Sequence, residues 1–357
     1  MSRFFSKKYD GLTPYVPGEQ PKKGQKFVKL NTNESPFPPS PKAVAAGLEA
    51  VNGLNLYSDP LCLKLRQTAA GVFGVGAGNV TCGNGSDEVL NFAFAAFCDG
   101  LTPAVFPDVT YGFYPVFAAQ NRVPFVEIPL KDDFSVDVER MAAEKGTLFI
   151  ANPNAPTGVA LSIEAIEFLL ESDPSRMVVV DEAYVDFGAE SAVGLIGKYE
   201  NLLVTQTFSK SRSMAGARLG LGFAQESVIA DIETLRNSLN PYNVNSVTLA
   251  MGAAALEDEE YTRTNCLVIG KNRERTADFL RSRGFVVTDS KANFVFASHL
   301  GIGGAEFNMK LREKGVLVRH FGRPERIADY NRITVGSAEQ MDFFEKAVDA
   351  ILLETLK

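Results

Sequence analysis

Apolar residues along this chain recur with two periods. From Pro41 onward, runs spaced three and four apart predict amphipathic helices over Lys42–Val51, over Leu61–Phe73, and from the turn CGNGSDE through Phe97. Beyond them lie short apolar runs that read as strands: Ala104–Phe106, Phe125–Ile128, Thr147–Ala151, Met177–Val180, Leu202–Thr205 and Leu219–Phe223, separated by helical segments such as Ile163–Glu171. Strands alternating with helices predict an α/β fold, a large domain with a mostly parallel central sheet flanked by helices. Past residue 226 the rhythm changes. Long helical stretches, Val228–Leu239 and Val247–Arg283, precede strand-like Phe285–Thr288 and Asn293–Ala297, a helix near Glu306–Glu313, strands Val316–Arg319 and Arg332–Val335, and a final helix from Ala338. This second pattern predicts a smaller α+β domain. The expected organisation is an N-terminal arm over residues 1–40, rich in Pro and Lys and packing with the small domain, a large domain over 41–270, and a small domain over 271–357.

Composition narrows the function classes. With 357 residues, 45% hydrophobic and 22% charged, the chain can bury a large core without disulfide or metal staples. Its 36 Lys plus Arg against 43 Asp plus Glu leave a formal charge of −7, opposite to the basic footprint that binding nucleic acid requires. An anionic small molecule must then be held by a few local Arg, Lys or helix N-termini, which makes individual arginines informative. The longest apolar run, Val89–Cys98, falls short of the roughly 18 residues of a membrane span. The N-terminus has no apolar signal core, so a cytoplasmic protein without membrane contact is expected. The cysteines, Cys62, Cys82, Cys98 and Cys266, have no metal-ligand spacing with one another or with His299 and His320, so no metal is expected and the thiols read as buried and reduced.

Five features stand at strand ends, where open α/β sheets place their ligands. Gly83–Glu88 (GNGSDE) opens a helix whose free N–H groups at Gly85, Ser86 and Asp87 can hold a phosphate, although an ordinary capped turn reads the same way. Tyr111 in TYGFYP offers a ring to a flat ligand or to the core. Asn152–Gly158 (NPNAPTG) is a rigid loop of two prolines and a terminal glycine, suited to positioning polar groups or simply to turning the chain. Val178–Tyr184 (VVVDEAY) is a buried strand ending in a carboxylate, costly unless paired; Asp181 can grip a protonated ring nitrogen or cap the next segment. In Thr207–Arg218 (TFSKSRSMAGAR), Lys210 sits among small and hydroxyl residues after a strand, a setting in which lysine forms a Schiff base with a carbonyl. Jointly these supply what an aldehyde cofactor bearing a phosphate and a pyridine ring requires. A nucleotide-binding reading of GNGSDE finds neither GxxxxGK[ST] nor GxGxxG and leaves Lys210 and Asp181 unexplained.

The order NESP, YxDP, GSDE, TYGFY, NPNAPTG, DEAYVDF, TFSKSRSMAGARLG, RxxLNPYNVN and NRITVG resembles the pyridoxal 5'-phosphate (PLP) dependent aminotransferases of fold type I, and within them the histidinol-phosphate aminotransferases, from Tyr15 to the last helix. The resemblance implies that Lys210 is the Schiff-base lysine and proton shuttle, that Asp181 keeps the pyridine nitrogen protonated, and that Tyr184 bonds the ring hydroxyl. It implies further that Tyr111 stacks on the ring, that Gly85, Ser86, Asp87, Thr207, Ser209 and Arg218 hold the phosphate, and that Tyr57 reaches in from a second subunit of a homodimer. The family usually has Asn immediately before Pro-Thr-Gly, where this chain has Ala155. Asn154 is the first replacement expected, with Asn152, or Tyr184 unaided, as the alternatives. Arg332 and Arg319 would clasp the phosphate of histidinol phosphate or imidazole-acetol phosphate and the carboxylates of glutamate or 2-oxoglutarate, with Tyr15, Tyr242 and Asn243 as cavity wall. Aromatic-amino-acid transamination and decarboxylation of phosphothreonine on the same fold are the nearest rivals. A PLP-sensing transcription regulator would need a basic helical segment, which the Pro-rich first forty residues do not resemble.

Overall fold

The computed structural model describes residues 2–22 and 24–355. In chain order its strands are β1 (Val28–Leu30), β2 (Val80–Gly83), β3 (Ala104–Pro107), β4 (Phe125–Ile128), β5 (Thr147–Ala151), β6 (Val178–Asp181), β7 (Leu202–Thr207), β8 (Gly220–Ala224), β9 (Phe285–Val287), β10 (Phe294–His299), β11 (Val316–His320) and β12 (Tyr330–Thr334). The helices are α1 (Pro41–Ala50), α2 (Leu63–Phe73), α3 (Ser86–Phe97), α4 (Tyr114–Asn121), α5 (Val138–Ala143), α6 (Ile163–Ser172), α7 (Glu226–Leu239), α8 (Ser246–Leu256), α9 (Glu259–Ser282), α10 (Gly304–Glu313) and α11 (Ala338–Thr355).

The larger sheet has the order β2-β8-β7-β6-β5-β3-β4, with β8 alone running against the rest. Its central strands are buried on both faces, as their unbroken apolar sequence requires. Leu148, Ile150, Val178, Val180, Leu202 and Val204 face one core; Phe149, Ala151, Val179 and Leu203 face the other. All these strands exit on one side, so the ends of β2, β5, β6 and β7 converge on one crevice.

The smaller sheet, β1-β11-β12-β10-β9, is antiparallel except at β1 and β11. Its apolar face buries Val295, Ala297, Val316 and Ile333 against α9, α10 and α11 through Leu280, Phe307, Leu311, Phe344 and Val348. Here the structure departs from expectation in three places. Regular structure begins before Pro41, because β1 lies inside the expected arm and pairs in register with Val316–Val318. The helical stretch Val247–Arg283 is two helices: the chain turns at Glu257–Asp258, and Glu259 and Glu260 occupy the first turn of α9, where acidic side chains favour a new N-terminus. Residue 270 falls inside α9, which runs unbroken from the junction cluster of Cys266, Ile269, Tyr184 and Phe294 into the small-sheet core at Leu280.

Candidate active site

Three strand ends and one helix N-terminus build the site. Strand β6 delivers Asp181 into the interior, 4% exposed, where its Oδ2 accepts a hydrogen bond from Tyr114 Oη at 3.3 Å and its Oδ1 one from Thr205 Oγ1 at 3.3 Å. Burial, then the charge of Asp87, push its carboxyl up to about 7, against the pull of those two hydroxyls. Strand β7 ends at Thr207, and the turn after it presents Ser209 and Lys210; Lys210 Nζ donates to the Thr32 carbonyl at 3.3 Å and lies 5.8 Å from the Tyr184 ring centroid.

The phosphate-sized corner forms between α3 and the start of β8. Gly85 has φ +81°, and a Cβ there would sit 2.7 Å from Arg218 Nη2. A Cβ on Gly220 would lie 2.3 Å from the Ser86 amide nitrogen, so glycine there lets β8 approach the N-terminus of α3. Around this corner Arg218 Nη2 pairs with Asp87 Oδ2 at 3.3 Å, and Thr207 Oγ1 donates to Ser209 Oγ at 3.1 Å. Tyr111 donates its hydroxyl to Asp87 Oδ1 at 2.7 Å; burial, reinforced by that carboxylate, holds the phenol well above its ordinary range.

These groups line one cavity of about 180 Å³: Ser86, Asp87, Tyr111, Asp181, Tyr184, Thr207, Ser209, Lys210 and Arg218, with Thr32, Glu34 and Ala155 among the rest of the wall. An amine, a buried carboxylate, a cation and several hydroxyl and amide donors thus converge on a space fit for a phosphorylated aromatic aldehyde. A larger open groove of about 700 Å³ runs along α9 between Phe73 and Lys291, away from the strand ends.

On the small sheet, Arg319 and Arg332 are paired across β11 and β12. Both guanidinium groups lie against Phe321, at 5.7 and 5.6 Å from its ring centroid, and among the described residues they donate only to backbone carbonyls, Arg319 to Val16 and Arg332 to Asn31, each at 3.2 Å. Arg332 Nε is buried without a partner, and burial above all lowers its pKa. The neighbouring ion pairs run elsewhere, Arg312 to Glu19 and Arg326 to Asp108. Two adjacent cations with no carboxylate partner among the described residues are suited chemically to an anion.

The family model described as "Aminotransferase class I and II" matches residues 25–351. This chain belongs to that family. The aminotransferase is 46% identical over 359 residues to the histidinol-phosphate aminotransferase of Acinetobacter baumannii, covering 99% of this chain and 97% of the relative. It is 47% identical over 341 residues to histidinol-phosphate aminotransferase 1 of Pseudomonas aeruginosa, covering 95% of this chain and 97% of the relative. Its fold, a fold type I α/β architecture, superposes with TM-score 0.90 and 23% identity on the crystal structure of histidinol-phosphate aminotransferase from Sinorhizobium meliloti in complex with pyridoxal-5'-phosphate, each chain covered to 99%.

Several residues expected in the site of the aminotransferase lie elsewhere. Asn154 does not line the cavity: its Nδ2 donates to Val109 O at 2.9 Å and to Thr157 Oγ1 at 3.0 Å, and its Oδ1 accepts from Thr110 at 2.8 Å. It frames the loop, as does Asn152, whose amide bonds both backbone groups of Leu161, and Ala155 alone reaches the wall. Asn243 is likewise withdrawn, donating to Glu88 Oε2 at 2.5 Å and accepting from Arg236 at 3.2 Å beneath α3. Tyr57, 83% exposed, stacks on Tyr242 with centroids 4.7 Å apart, and neither lines the cavity of its own chain. Tyr15 stacks on Phe113 at 4.3 Å, near enough to Arg332 for its phenol to bear on that guanidinium. The residue that sequence reasoning missed is Asn33, whose Nδ2 donates to the Tyr184 hydroxyl at 3.0 Å. NESP marked the segment, but no chemistry in it pointed to the tyrosine.

Proposed function

We propose that this aminotransferase uses pyridoxal 5'-phosphate to move the amino group of histidinol phosphate to 2-oxoglutarate, giving imidazole-acetol phosphate and glutamate. The reading rests on one observation above others: Lys210, Asp181 and the Ser86–Arg218 corner share a cavity, and Tyr184 and Tyr111 of its wall lie near enough to Arg332 to bear on its charge. The identity to relatives named for that activity supports this choice of substrate.

When bound, the cofactor supplies a protonated ring that accepts the electron pair left on the substrate carbon. Asp181 holds the proton on the ring nitrogen, and a cation there returns its carboxyl to the ionised form that burial alone opposes. Lys210, freed by the incoming amine, takes the proton from the substrate carbon and returns it to the adjacent cofactor carbon. Tyr184, steadied by Asn33, bonds the ring hydroxyl in the place the family gives to Asn, and Tyr111 covers the ring face. The backbone N–H groups of Gly85, Ser86 and Asp87, with Thr207, Ser209 and Arg218, hold the phosphate. Arg319 and Arg332 take the phosphate of the substrate and then the carboxylates of the second substrate.

The working unit is a homodimer. Val44, Leu48, Val51, Leu54, Leu56 and Tyr57 form an exposed apolar run along and after α1, unlike a solvent-facing surface, and Tyr57 and Tyr242 at its edge would complete the partner's cavity. The reactive groups come from residues 41–270, and the anion clamp from 271–357 with the arm. Among the described residues no helix is long and apolar enough to cross a membrane, in keeping with a cytoplasmic enzyme. The test is spectroscopic. Purified protein should carry a visible band that is absent in Lys210→Ala and that histidinol phosphate bleaches at far lower concentration than phenylalanine or phosphothreonine. Preferential bleaching by either competitor would move the substrate, and no band after incubation with cofactor would remove the cofactor.

A further inference from the structure

The transfer chemistry leaves one carboxylate in the cavity wall unassigned. Asp181 serves the ring nitrogen, and Asp87 bonds Tyr111 and Arg218. Glu34, in the turn after β1, lines the same space with 46% of its side chain exposed. Among the described residues its hydrogen-bonding partner is Lys29, whose Nζ lies 2.8 Å from Oε1 and 2.6 Å from Oε2. Two residues before it, the buried Thr32 hydroxyl lies in the same wall, close enough to the carboxyl to help hold its pKa down.

Position gives this carboxylate a task. Asn31, three residues earlier, accepts from Arg332 through its carbonyl, and Thr32 accepts from Lys210. The segment 31–34 therefore touches the anion clamp at one end and the reactive amine in its middle. Three residue steps span at most about 10 Å, the scale of a small phosphate ester with one further group to recognise. Burial pushes the Glu34 carboxyl up, but the hydrogen bond and charge of Lys29, then the Thr32 hydroxyl and the charge of Lys210, more than offset it, so the group stays ionised at neutral pH.

We infer that Glu34 is a specificity-determining residue that accepts the ring N–H of the substrate's imidazole while the phosphate lies in the Arg319–Arg332 clamp. This rests on the histidinol-phosphate reading above. A phenyl ring or a methyl group placed there would desolvate the carboxylate and return no donor. The second carboxylate of glutamate would meet it charge to charge, which directs that group to the arginines instead.

The test compares wild type, Glu34→Gln and Glu34→Asp as holoenzymes, each half-reaction followed separately by loss of the visible band. In Glu34→Gln, kcat/KM for histidinol phosphate should fall by about ten- to a hundredfold, the range of a hydrogen bond to a charged group. The ratio of histidinol phosphate to glutamate should shift at least tenfold toward glutamate, with Glu34→Asp intermediate. Calorimetric affinity of the cofactor-free protein for histidinol phosphate should fall in step. Equal losses for both substrates would mean that Glu34 only supports the arm, and an unchanged ratio would mean that the ring is held elsewhere; either overturns the inference and leaves the proposed activity standing. A wild type that ignores histidinol phosphate would overturn both.

Discussion

Replacing Asp181 with asparagine separates what this residue does for the reaction from what it costs the fold. In the cofactor-free protein the carboxyl titrates at about 7, against an ordinary value of 3.8, because burial disfavours its charge and Asp87 adds to the effect. A raised acid pKa means that the folded state holds its proton more tightly than the unfolded chain. Stability is then greatest below 3.8 and is lost as pH rises from there to 7, levelling off above. Three units correspond to roughly 4 kcal/mol, more than a third of which is already lost at pH 5. Asparagine keeps the shape and removes the ionisation, so it should escape this loss. Urea unfolding of both cofactor-free proteins at fixed concentration should show Asp181→Asn gaining about 2–3 kcal/mol on wild type between pH 5 and pH 8. Glu182 also titrates at about 7, but it is present in both proteins and cancels in the difference. Parallel pH profiles would refute the reasoning, since they would mean that the buried carboxyl ionises as freely folded as unfolded. The holoenzyme should show the reverse order, the variant losing most of its turnover because nothing then holds the ring proton.

Other substitutions test neighbouring parts. Gly220→Ala puts a methyl 2.3 Å from the Ser86 amide, so phosphate-dependent cofactor affinity should drop and stability fall by about 1–3 kcal/mol, read by cofactor titration and thermal melting. Asn33→Ala strands the Tyr184 hydroxyl; it should cost about 1 kcal/mol of stability and change the pH dependence of the visible band, whereas an unchanged band would show that the hydroxyl needs no second partner. Arg332→Met removes a cation that donates to a backbone carbonyl and whose Nε is buried without a partner among the described residues, so it should raise the melting temperature of the ligand-free protein while lowering kcat/KM for histidinol phosphate by about a hundredfold or more. Leu48→Asp on the exposed apolar run should yield monomers in sedimentation and weaken cofactor binding in the same proportion.

What could be read from the sequence follows from where the information lies. Strands β5, β6 and β7 announce themselves because both faces are buried and each carries an unbroken apolar run, Leu148–Ala151, Val178–Val180 and Leu202–Val204, and a charged residue just beyond such a run, Asp181 or, past the end of β7, Lys210, stands out against it. Strand β1 has three residues and becomes a strand only by pairing with β11 near the other end of the chain. The break between α8 and α9 carries no Gly or Pro; packing decides it. Polar side chains divide in the same way. Asn154 and Asn243 are as polar as Asn33, but Thr110, Glu88 and Arg236, brought in from distant segments, consume their hydrogen bonds first. Which asparagine reaches Tyr184 is thus settled by neighbours that no local pattern names.

The two halves of the site sit on different sheets, and this shapes how such an enzyme can change over generations. Exchanges at the ends of β11 and β12 bear on the arginine pair without touching the amine, the carboxylate or the phosphate corner on the large sheet. A lineage can therefore explore new amino donors through a handful of exchanges in one half while the reaction itself is inherited intact. The converse path is narrower, because Lys210, Asp181 and Gly220 each meet neighbours from other segments: Thr32, Tyr114 with Thr205, and the Ser86 amide.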